Sequence, residues 1–366
     1  MTRLCALNEN PYFTDLMELM KLSVRNVEYG PGEALILSFD VIDGMRPEYK
    51  AGQFLTLIFK RNNKELRRSY SLCSSPEIDE PLSIAIKRVE NGEISRFLHH
   101  TVRVGDILYA LPPNGQFIYE PEPDLKRTVF LFAAGVGITP VLSIIKTALL
   151  AERFSKIILV YSSRSVDETL FYKELNKLQE SNLERFKIIY VSSQAKNLLM
   201  ARLNVFLIEK IVKEDMAFDT EDALFYTCGP IDYMVTCRIT LLRMGYDMRQ
   251  IKRETFVIPE DEVDDDDTTE REVKDKTTYE VILKLNDHEY KIAVPYNKTI
   301  LQAGLENKID IPYSCRAGIC STCTATCTKG GVRMDYNEIL MDDEVARGRV
   351  LVCTGHPTAN GTTIVW

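Results

Sequence analysis

Pro312-Tyr313-Ser314-Cys315-Arg316-Ala317-Gly318-Ile319-Cys320-Ser321-Thr322-Cys323 decides what the C-terminal part of this chain folds around. With Cys353 it spaces four cysteines as C-x4-C-x2-C-x29-C. A tetrahedral, thiolate-seeking iron pair needs four cysteinate sulfurs, three from one tight loop and one from a distant strand that closes the cage. The loop is rich in small residues, which leaves backbone N–H groups free to point at sulfur. Gly318 can take backbone angles closed to other residues. A zinc site or buried structural cysteines are the alternatives, and neither accounts for this loop composition as well as a [2Fe-2S] cluster does.

The rest of the chain is too long for one core. Its 366 residues suit two or three domains. Nine cysteines, four of them tied to one loop, argue against a secreted disulfide framework. Labile iron–sulfur chemistry favours a reducing compartment, so a cytoplasmic location is expected. Met1 to Met20 has no basic segment followed by an apolar run, hence no signal peptide is expected. Thr128 to Ile145 carries no charge and imitates a membrane span, but Gly135, Gly137 and Pro140 interrupt it. It reads as strand, glycine turn and helix, so no span is expected.

The net charge of −8 is concentrated. Residues 257–278 hold three basic and ten acidic side chains, a net of −7. Such a run self-repels and buries no apolar surface, which predicts an extended, solvated linker, with an acidic docking tail as the alternative role. The chain has no basic patch, so no nucleic-acid partner is expected.

On either side of position 125 the texture changes. Ala34 to Val41, Phe54 to Phe59, Arg68 to Cys73 and Leu82 to Val89 are short strand-like runs punctuated by Gly30-Pro31-Gly32, Pro47, Gly92, Gly105 and Pro112-Pro113. They predict a small antiparallel barrel with one helix at Ser95 to Val102. Beyond it, apolar strands (Val129 to Ala134, Ile157 to Tyr161, Lys187 to Val191, Ala223 to Thr227) alternate with helices (Pro140 to Leu150, Leu170 to Gln179, Arg202 to Ile211, Ile231 to Met244). That alternation predicts a doubly wound parallel sheet. Gly245 stands where a helix C-cap would. After the acidic run, Tyr279 to Leu285 and Tyr290 to Val294 are spaced as a hairpin around Asn286-Asp287-His288-Glu289, followed by a helix near Ile300 to Glu306. The expected divisions are 18–122, 123–257, the linker 258–278, and 279–366.

Three motifs carry chemistry. In Arg68-Ser69-Tyr70-Ser71, Tyr70 offers a flat aromatic partner, Ser71 a hydroxyl donor and Arg68 a cation, as a flavin requires; strand alternation puts Arg68 and Tyr70 on one face. Lys87, Val89, Gly92 and Ser95 follow in a turn that opens a helix, a natural diphosphate site. Ala134-Gly135-Val136-Gly137-Ile138-Thr139-Pro140 follows a strand and opens another helix, with Thr139 as the expected N-cap and Pro140 in the first turn. Its glycines let backbone approach a phosphate. Cys228-Gly229-Pro230 lies at a strand end. Taken alone, each of these is an ordinary strand, turn or buried cysteine. Cys73, Cys237 and Cys327 are expected in the core, and His99, His100, His288 and His356 lack metal-ligand spacing.

In this order the motifs resemble the ferredoxin–NADP reductase superfamily: a flavin barrel, an α/β nicotinamide domain and, here, a C-terminal plant-type ferredoxin of β-grasp fold. The resemblance covers the chain from about residue 20. It implies FAD rather than FMN, a catalytic role for Tyr70, Ser71, Cys228 and Glu254 (the last in a terminal Glu254-Thr255-Phe256), and cluster ligation by Cys315, Cys320, Cys323 and Cys353. The three-part layout resembles the reductase subunits of phenylacetyl-CoA epoxidases and their relatives, in which NADPH reduces FAD and electrons leave through the cluster to an oxygenase. In the epoxidase branch that oxygenase is a di-iron enzyme; the alternatives are a reductase for another hydroxylase or desaturase (fatty acid, steroid or aromatic) and a non-catalytic redox-sensing module of the same fold. Such reductases are expected to be monomeric or loosely associated. NADPH-preferring members carry Ser-Arg after the third nucleotide-domain strand; this chain has Ser192-Ser193 there. Arg164, with Lys196 or Arg202, is expected to hold the 2′-phosphate instead. The resemblance therefore implies NADPH, with NADH as the alternative coenzyme.

Overall fold

The computed structural model describes residues 19–42, 44–61, 64–90, 92–194, 201–256 and 276–366. These fall into two compact units, Leu19–Thr255 and Phe256–Trp366. The expected linker lies outside the described residues except for its last three positions, and Lys196 lies outside them altogether.

The first unit begins with six antiparallel strands: β1 (Met20–Gly30), β2 (Ala34–Val41), β3 (Phe54–Arg61), β4 (Lys64–Ser71), β5 (Leu82–Lys87) and β6 (Ile107–Asn114), in the order β4-β3-β6-β1-β2-β5. The edges meet through the bridge Leu72↔Ile84, and the Cys73 N–H donates to the Ser83 carbonyl at 2.8 Å, so the sheet curls into the expected barrel. Alternate residues Leu35, Leu37 and Phe39 of β2 fill its interior with Leu55, Leu57 and Phe59 of β3. The helix α1 (Glu93–Thr101) closes one end through Ile94 and Leu98.

Pro112-Pro113, expected to end a strand, instead lie within β6. The register between β3 and β6 slips here, from Leu111 opposite Thr56 to Asn114 opposite Phe54. Proline has no N–H for a ladder, and the two rings occupy the irregularity where none is needed.

A parallel sheet in the order β11-β10-β7-β8-β9 follows, from β7 (Thr128–Ala134), β8 (Lys156–Ser163), β9 (Phe186–Ser192), β10 (Leu224–Cys228) and β11 (Ile251–Glu254). Helices α2 (Ile138–Ala151), α3 (Tyr172–Glu180), α4 (Val205–Asp215) and α5 (Ile231–Arg243) alternate with the strands. Strand β7 is buried along nearly all its length, as a central parallel strand covered on both faces should be. The uncharged stretch from Thr128 is thus strand, tight 3-10 turn (Gly135–Gly137) and helix; among the described residues no helix is long and apolar enough to cross a membrane. The helix expected from Arg202 starts at Val205, because the Asn204 side chain accepts from the Leu207 N–H at 3.0 Å and caps it there. At the end of α5, Gly245 takes φ +95°, its N–H reaches the Leu242 carbonyl, and that of Tyr246 reaches Leu241. This is the double bond of a glycine-terminated helix.

Barrel and parallel sheet share a packed junction. Phe117 and Tyr119 meet the Tyr226 ring at 5.2 and 6.0 Å, and the Tyr226 hydroxyl donates to the Ile118 carbonyl at 2.9 Å. The Ser143 hydroxyl on α2 donates to the Ser74 carbonyl at 2.6 Å, and Ser75 and Thr147 exchange a buried hydrogen bond at 2.8 Å.

The second unit is a β-grasp. The hairpin β12 (Tyr279–Leu285) and β13 (His288–Val294) leads to α6 (Ile300–Glu306), and β14 (Thr324–Lys329), β16 (Arg349–Leu351) and β18 (Thr362–Val365) complete a sheet ordered β13-β12-β18-β14-β16. A ribbon of β15 (Val332–Met334) and β17 (Gly355–Pro357) and a short helix α7 (Asp342–Ala346) flank it. Thr299 and Gln302 form a reciprocal cap that starts α6 where the sequence expects a helix. Val281, Leu283, Ile300, Ile311, Val352 and Ile364 form its core.

Gly52 seats the junction. It has φ +97°, and a Cβ there would lie 1.9 Å from the carbonyl oxygen of Phe117. Gly105, with φ +89°, has open space around the same position. Gly52→Ala should therefore lower the melting temperature by several degrees more than Gly105→Ala, since only the former adds a backbone clash to roughly 1–3 kcal/mol of dihedral strain. Equal shifts in a thermal melt would show that the barrel absorbs the clash.

Candidate functional site

Four thiols converge in the second unit. The thiol of Cys315 faces those of Cys320 and Cys353, and the thiol of Cys353 faces those of Cys315 and Cys323. Cys320, Cys323 and Cys353 are buried, while Cys315 is half-buried. The first three come from the loop after Ile311 and the fourth from just past β16, which pairs with β14 and so carries Cys353 back to the loop. The Ala317 N–H points at the Cys315 sulfur and the Cys315 N–H at the Cys320 sulfur, each at 3.4 Å. Gly318 has φ +69°, and a Cβ on it would meet the Tyr336 carbonyl at 2.7 Å, so only glycine lets the loop fold this tightly. The Cys320 thiol is pushed well above its ordinary value, first by the neighbouring Cys315 thiol and then by burial. Four sulfurs held this close while bearing negative charge need a cationic centre between them, and backbone N–H groups already face two of them. This donor set fits a [2Fe-2S] cluster. Among the described residues no three His, Cys, Asp or Glu side chains group around a single metal ion; a two-iron cluster divides its four thiolates between the irons. Cys73 and Cys237 are core residues as expected, whereas Cys327 is only half-buried, its thiol donating to the Lys329 carbonyl at 3.3 Å.

In the first unit, β4 presents Arg68 to solvent and Tyr70 half-buried. Burial pushes the Tyr70 phenol well up despite Arg68 nearby, so it stays neutral. Ser71 is 3% exposed, and among the described residues its hydroxyl has no hydrogen-bond partner. An orphaned buried hydroxyl beside an aromatic ring and an exposed guanidinium fits a flavin, which has ring edges to accept from the serine and phosphates to pair with the arginine. Ser69 is engaged within the barrel wall, its hydroxyl bonded to Thr56 of β3 at 3.1 Å. At the start of α1, Gly92 caps the helix without a side-chain bond. Ser95, expected to face a diphosphate, accepts from the Val89 N–H at 3.2 Å and donates to the Gly92 carbonyl at 3.3 Å. Its hydroxyl shapes the turn, and Lys87 stays exposed at the end of β5.

At the end of β7, Thr139 is not the N-cap. That place is taken by Gly137, and the Thr139 hydroxyl donates back to the Val136 carbonyl at 3.0 Å because it already lies inside the helix. Pro140 sits in the first turn, where its missing N–H leaves no bond unmade. A Cβ on Gly137 would come 2.2 Å from the Cys228 carbonyl, and one on Gly229 would come 2.9 Å from the Ala134 Cβ. The glycine turn and Cys228-Gly229-Pro230 therefore touch, backbone to backbone, at the adjacent ends of β7 and β10. Strand order reverses on either side of β7, which makes this the switch point of the sheet, where open α/β folds bind ligands. Cys228 is fully buried and registers opposite Glu254 on β11. Burial, then the Glu254 carboxylate, push its thiol well up, so it stays neutral.

Ser192 and Ser193 end β9 beside Arg164, and both hydroxyls donate to the Arg164 carbonyl, at 2.9 and 3.5 Å. The Arg164 guanidinium is exposed and lies 3.7 Å from Glu168. Arg202 is exposed ahead of α4. Glu168 is absent from the sequence-derived candidates, although its i,i+4 spacing from Arg164 is a readable signal.

Family models for an oxidoreductase FAD-binding domain, an oxidoreductase NAD-binding domain and a 2Fe-2S iron-sulfur cluster binding domain match residues 32–119, 131–238 and 283–358. The chain is similar to a subunit of the 1,2-phenylacetyl-CoA epoxidase of Escherichia coli, with 30% identity over 94% of this chain and 96% of that one. It is similar to the ferredoxin reductase component of 3-ketosteroid-9-alpha-monooxygenase of Rhodococcus rhodochrous, with 30% identity over 93% and 94%. Phthalate dioxygenase reductase shares the fold, with a TM-score of 0.59 and 22% identity over 95% of this chain and 97% of that one. Three matched domains in the order read from the motifs, and full-length relatives carrying them, make this chain a member of the ferredoxin–NADP reductase superfamily with a C-terminal plant-type [2Fe-2S] ferredoxin domain: an oxidoreductase of FAD, a nicotinamide coenzyme and an iron–sulfur cluster.

Proposed function

We propose that this protein is the reductase component of a multicomponent oxygenase, taking electrons from NADPH, or from NADH less well, and delivering them singly to an oxygenase partner. The observation that carries this is the convergence of four thiols in a chain that also holds a flavin strand and a nicotinamide switch point. A di-iron phenylacetyl-CoA epoxidase is the favoured partner, because the epoxidase relative aligns along nearly the whole length of both chains. The steroid monooxygenase component aligns almost as fully, which keeps a different hydroxylase as the second reading. The divisions 18–122, 123–257, 258–278 and 279–366, a cytoplasmic location and a monomeric or loosely associated state belong to the same proposal.

Flavin and cluster, when bound, supply the conversion of a two-electron donor into a one-electron one. The chain's part is placement. Arg68 would pair with the diphosphate, Tyr70 would pack against the ring, and the Ser71 hydroxyl would be free to donate to its edge. Gly135 and Gly137 let backbone N–H groups approach the coenzyme phosphates. Cys228, neutral and without branching bulk, would border the nicotinamide, with Glu254 beside it on the neighbouring strand. The loop buries Cys320, Cys323 and Cys353 and leaves Cys315 half-buried, so three of the four sulfurs are held away from water.

Two outcomes test this reading. Cys320→Ser should abolish the visible absorbance of the cluster and the acid-labile sulfide while NAD(P)H still reduces ferricyanide; Cys327→Ser should keep both. Loss of sulfide in the Cys327 variant would remove Cys353 as fourth ligand. Arg68→Ala should weaken FAD retention about 10- to 100-fold, the cost of one charge-assisted contact of roughly 1.5–3 kcal/mol. Flavin content after exhaustive dialysis measures it, and full occupancy would place the diphosphate elsewhere.

A further inference from the structure

The loop between β8 and α3 is built more firmly than its exposure suggests. The Ser163 hydroxyl bonds the Ser165 carbonyl at 3.1 Å and the Thr169 hydroxyl at 2.8 Å, and Thr169 returns to the Ser165 carbonyl at 2.9 Å. Ser192 and Ser193 lock the Arg164 carbonyl from the next strand. The barrel braces the other side: a Cβ on Gly30 would meet Leu170 Cδ1 at 3.0 Å, and one on Gly32 would meet the Glu168 carbonyl oxygen at 3.8 Å. Glu168 thus stands in a short 3-10 turn (Val166–Glu168) fixed beside Arg164. Among the described residues, Glu168 is the one ion-pair partner of Arg164.

We propose that Glu168 sets coenzyme preference by sharing Arg164 with the 2′-phosphate of NADPH. This rests on the reductase function proposed above. A dinucleotide whose pyrophosphate lies at Gly135–Gly137 extends its adenosine outward over the ends of β8 and β9, where Arg164, Ser192 and Ser193 lie together. A 2′-phosphate there needs charge and donors. The two serine hydroxyls already donate to backbone, so of these three described residues Arg164 is the donor left to it. Glu168 both holds that guanidinium and repels the incoming dianion. The ribose 2′-hydroxyl of NADH meets no such repulsion, and a carboxylate can accept from it. Glu168 therefore holds the preference for NADPH to a modest one. Asp167 lies on the same turn with the same charge and without the ion pair, which makes it the natural control.

The experiment uses the full-length holoenzyme. The ratio of kcat/KM for NADPH to that for NADH, read with ferricyanide, is compared in wild type, Glu168→Gln, Asp167→Asn, Arg164→Ala and the Arg164→Ala/Glu168→Gln double variant. Glu168→Gln should raise the ratio about two- to fivefold, the scale of one exposed charge pair. Asp167→Asn should change it less, the Glu168 effect should vanish in the Arg164→Ala background, and it should shrink at high salt. Calorimetric titration with 2′,5′-ADP should show the same tightening in Glu168→Gln, with 5′-AMP as the unphosphorylated reference. An unchanged ratio and unchanged 2′,5′-ADP affinity, in a variant that still oxidises NADH, would overturn the role of Glu168 and leave the reductase function standing. Absence of NADH and NADPH oxidation in wild type would overturn both.

Discussion

The first unit turns on a carboxylate with no contact with water. Glu152, at the end of α2, is fully buried and paired with the Arg127 guanidinium, itself 7% exposed. Glu152 also accepts from the Glu122 N–H at 2.9 Å and from the Ser155 hydroxyl at 2.5 Å, while Arg127 reaches the Glu120 carbonyl at 2.9 Å and lies over the Tyr119 ring. These groups are the passage from barrel to parallel sheet. The desolvation cost of a buried pair is offset only when every lone pair and proton is used, and here they nearly all are. Removing either partner would strand the other, at about 3–5 kcal/mol. The pair fixes where β7 enters the sheet, and so where the glycine turn at its far end comes to lie.

That turn depends on a second constraint, the absence of side chains. Gly137 meets the carbonyl of Cys228, and Gly229 meets Ala134. With any Cβ there, the ends of β7 and β10 would have to part. Cys228 and Glu254 are then placed by register alone, facing each other across neighbouring parallel strands.

The cysteine spacing, the strand–turn–helix at Gly135 and the two textures on either side of position 125 are legible because each rests on local periodicity or on residues with one physical use. What sequence hides is tertiary. Pro112 and Pro113 read as a break, yet a slipped register accommodates them inside β6. Thr139 has the right chemistry for a cap, but the 3-10 turn ahead of it starts the helix two residues sooner. Ser95 also braces its own turn, a role no pattern reveals, because which backbone partners a hydroxyl finds is settled by the fold of its loop. The four-residue strand β11, which carries Glu254, is too short for a pattern to reveal. Glu168 is hidden for a related reason: its bearing on Arg164 depends on a turn whose shape is set by Thr169 and by the barrel.

Each unit has its own hydrophobic core, and among the described residues the buried interior of the β-grasp comes from residues 281–364. A core that borrows no side chain from elsewhere in the chain can be moved as a gene segment without leaving a void behind. The cluster-bearing segment is therefore a heritable module: duplication, loss or transfer of its coding sequence to either end of another reductase would conserve folding on both sides of the join. Lineages could acquire a new electron outlet by recombination at one boundary, with no accompanying substitution in the flavin or coenzyme machinery.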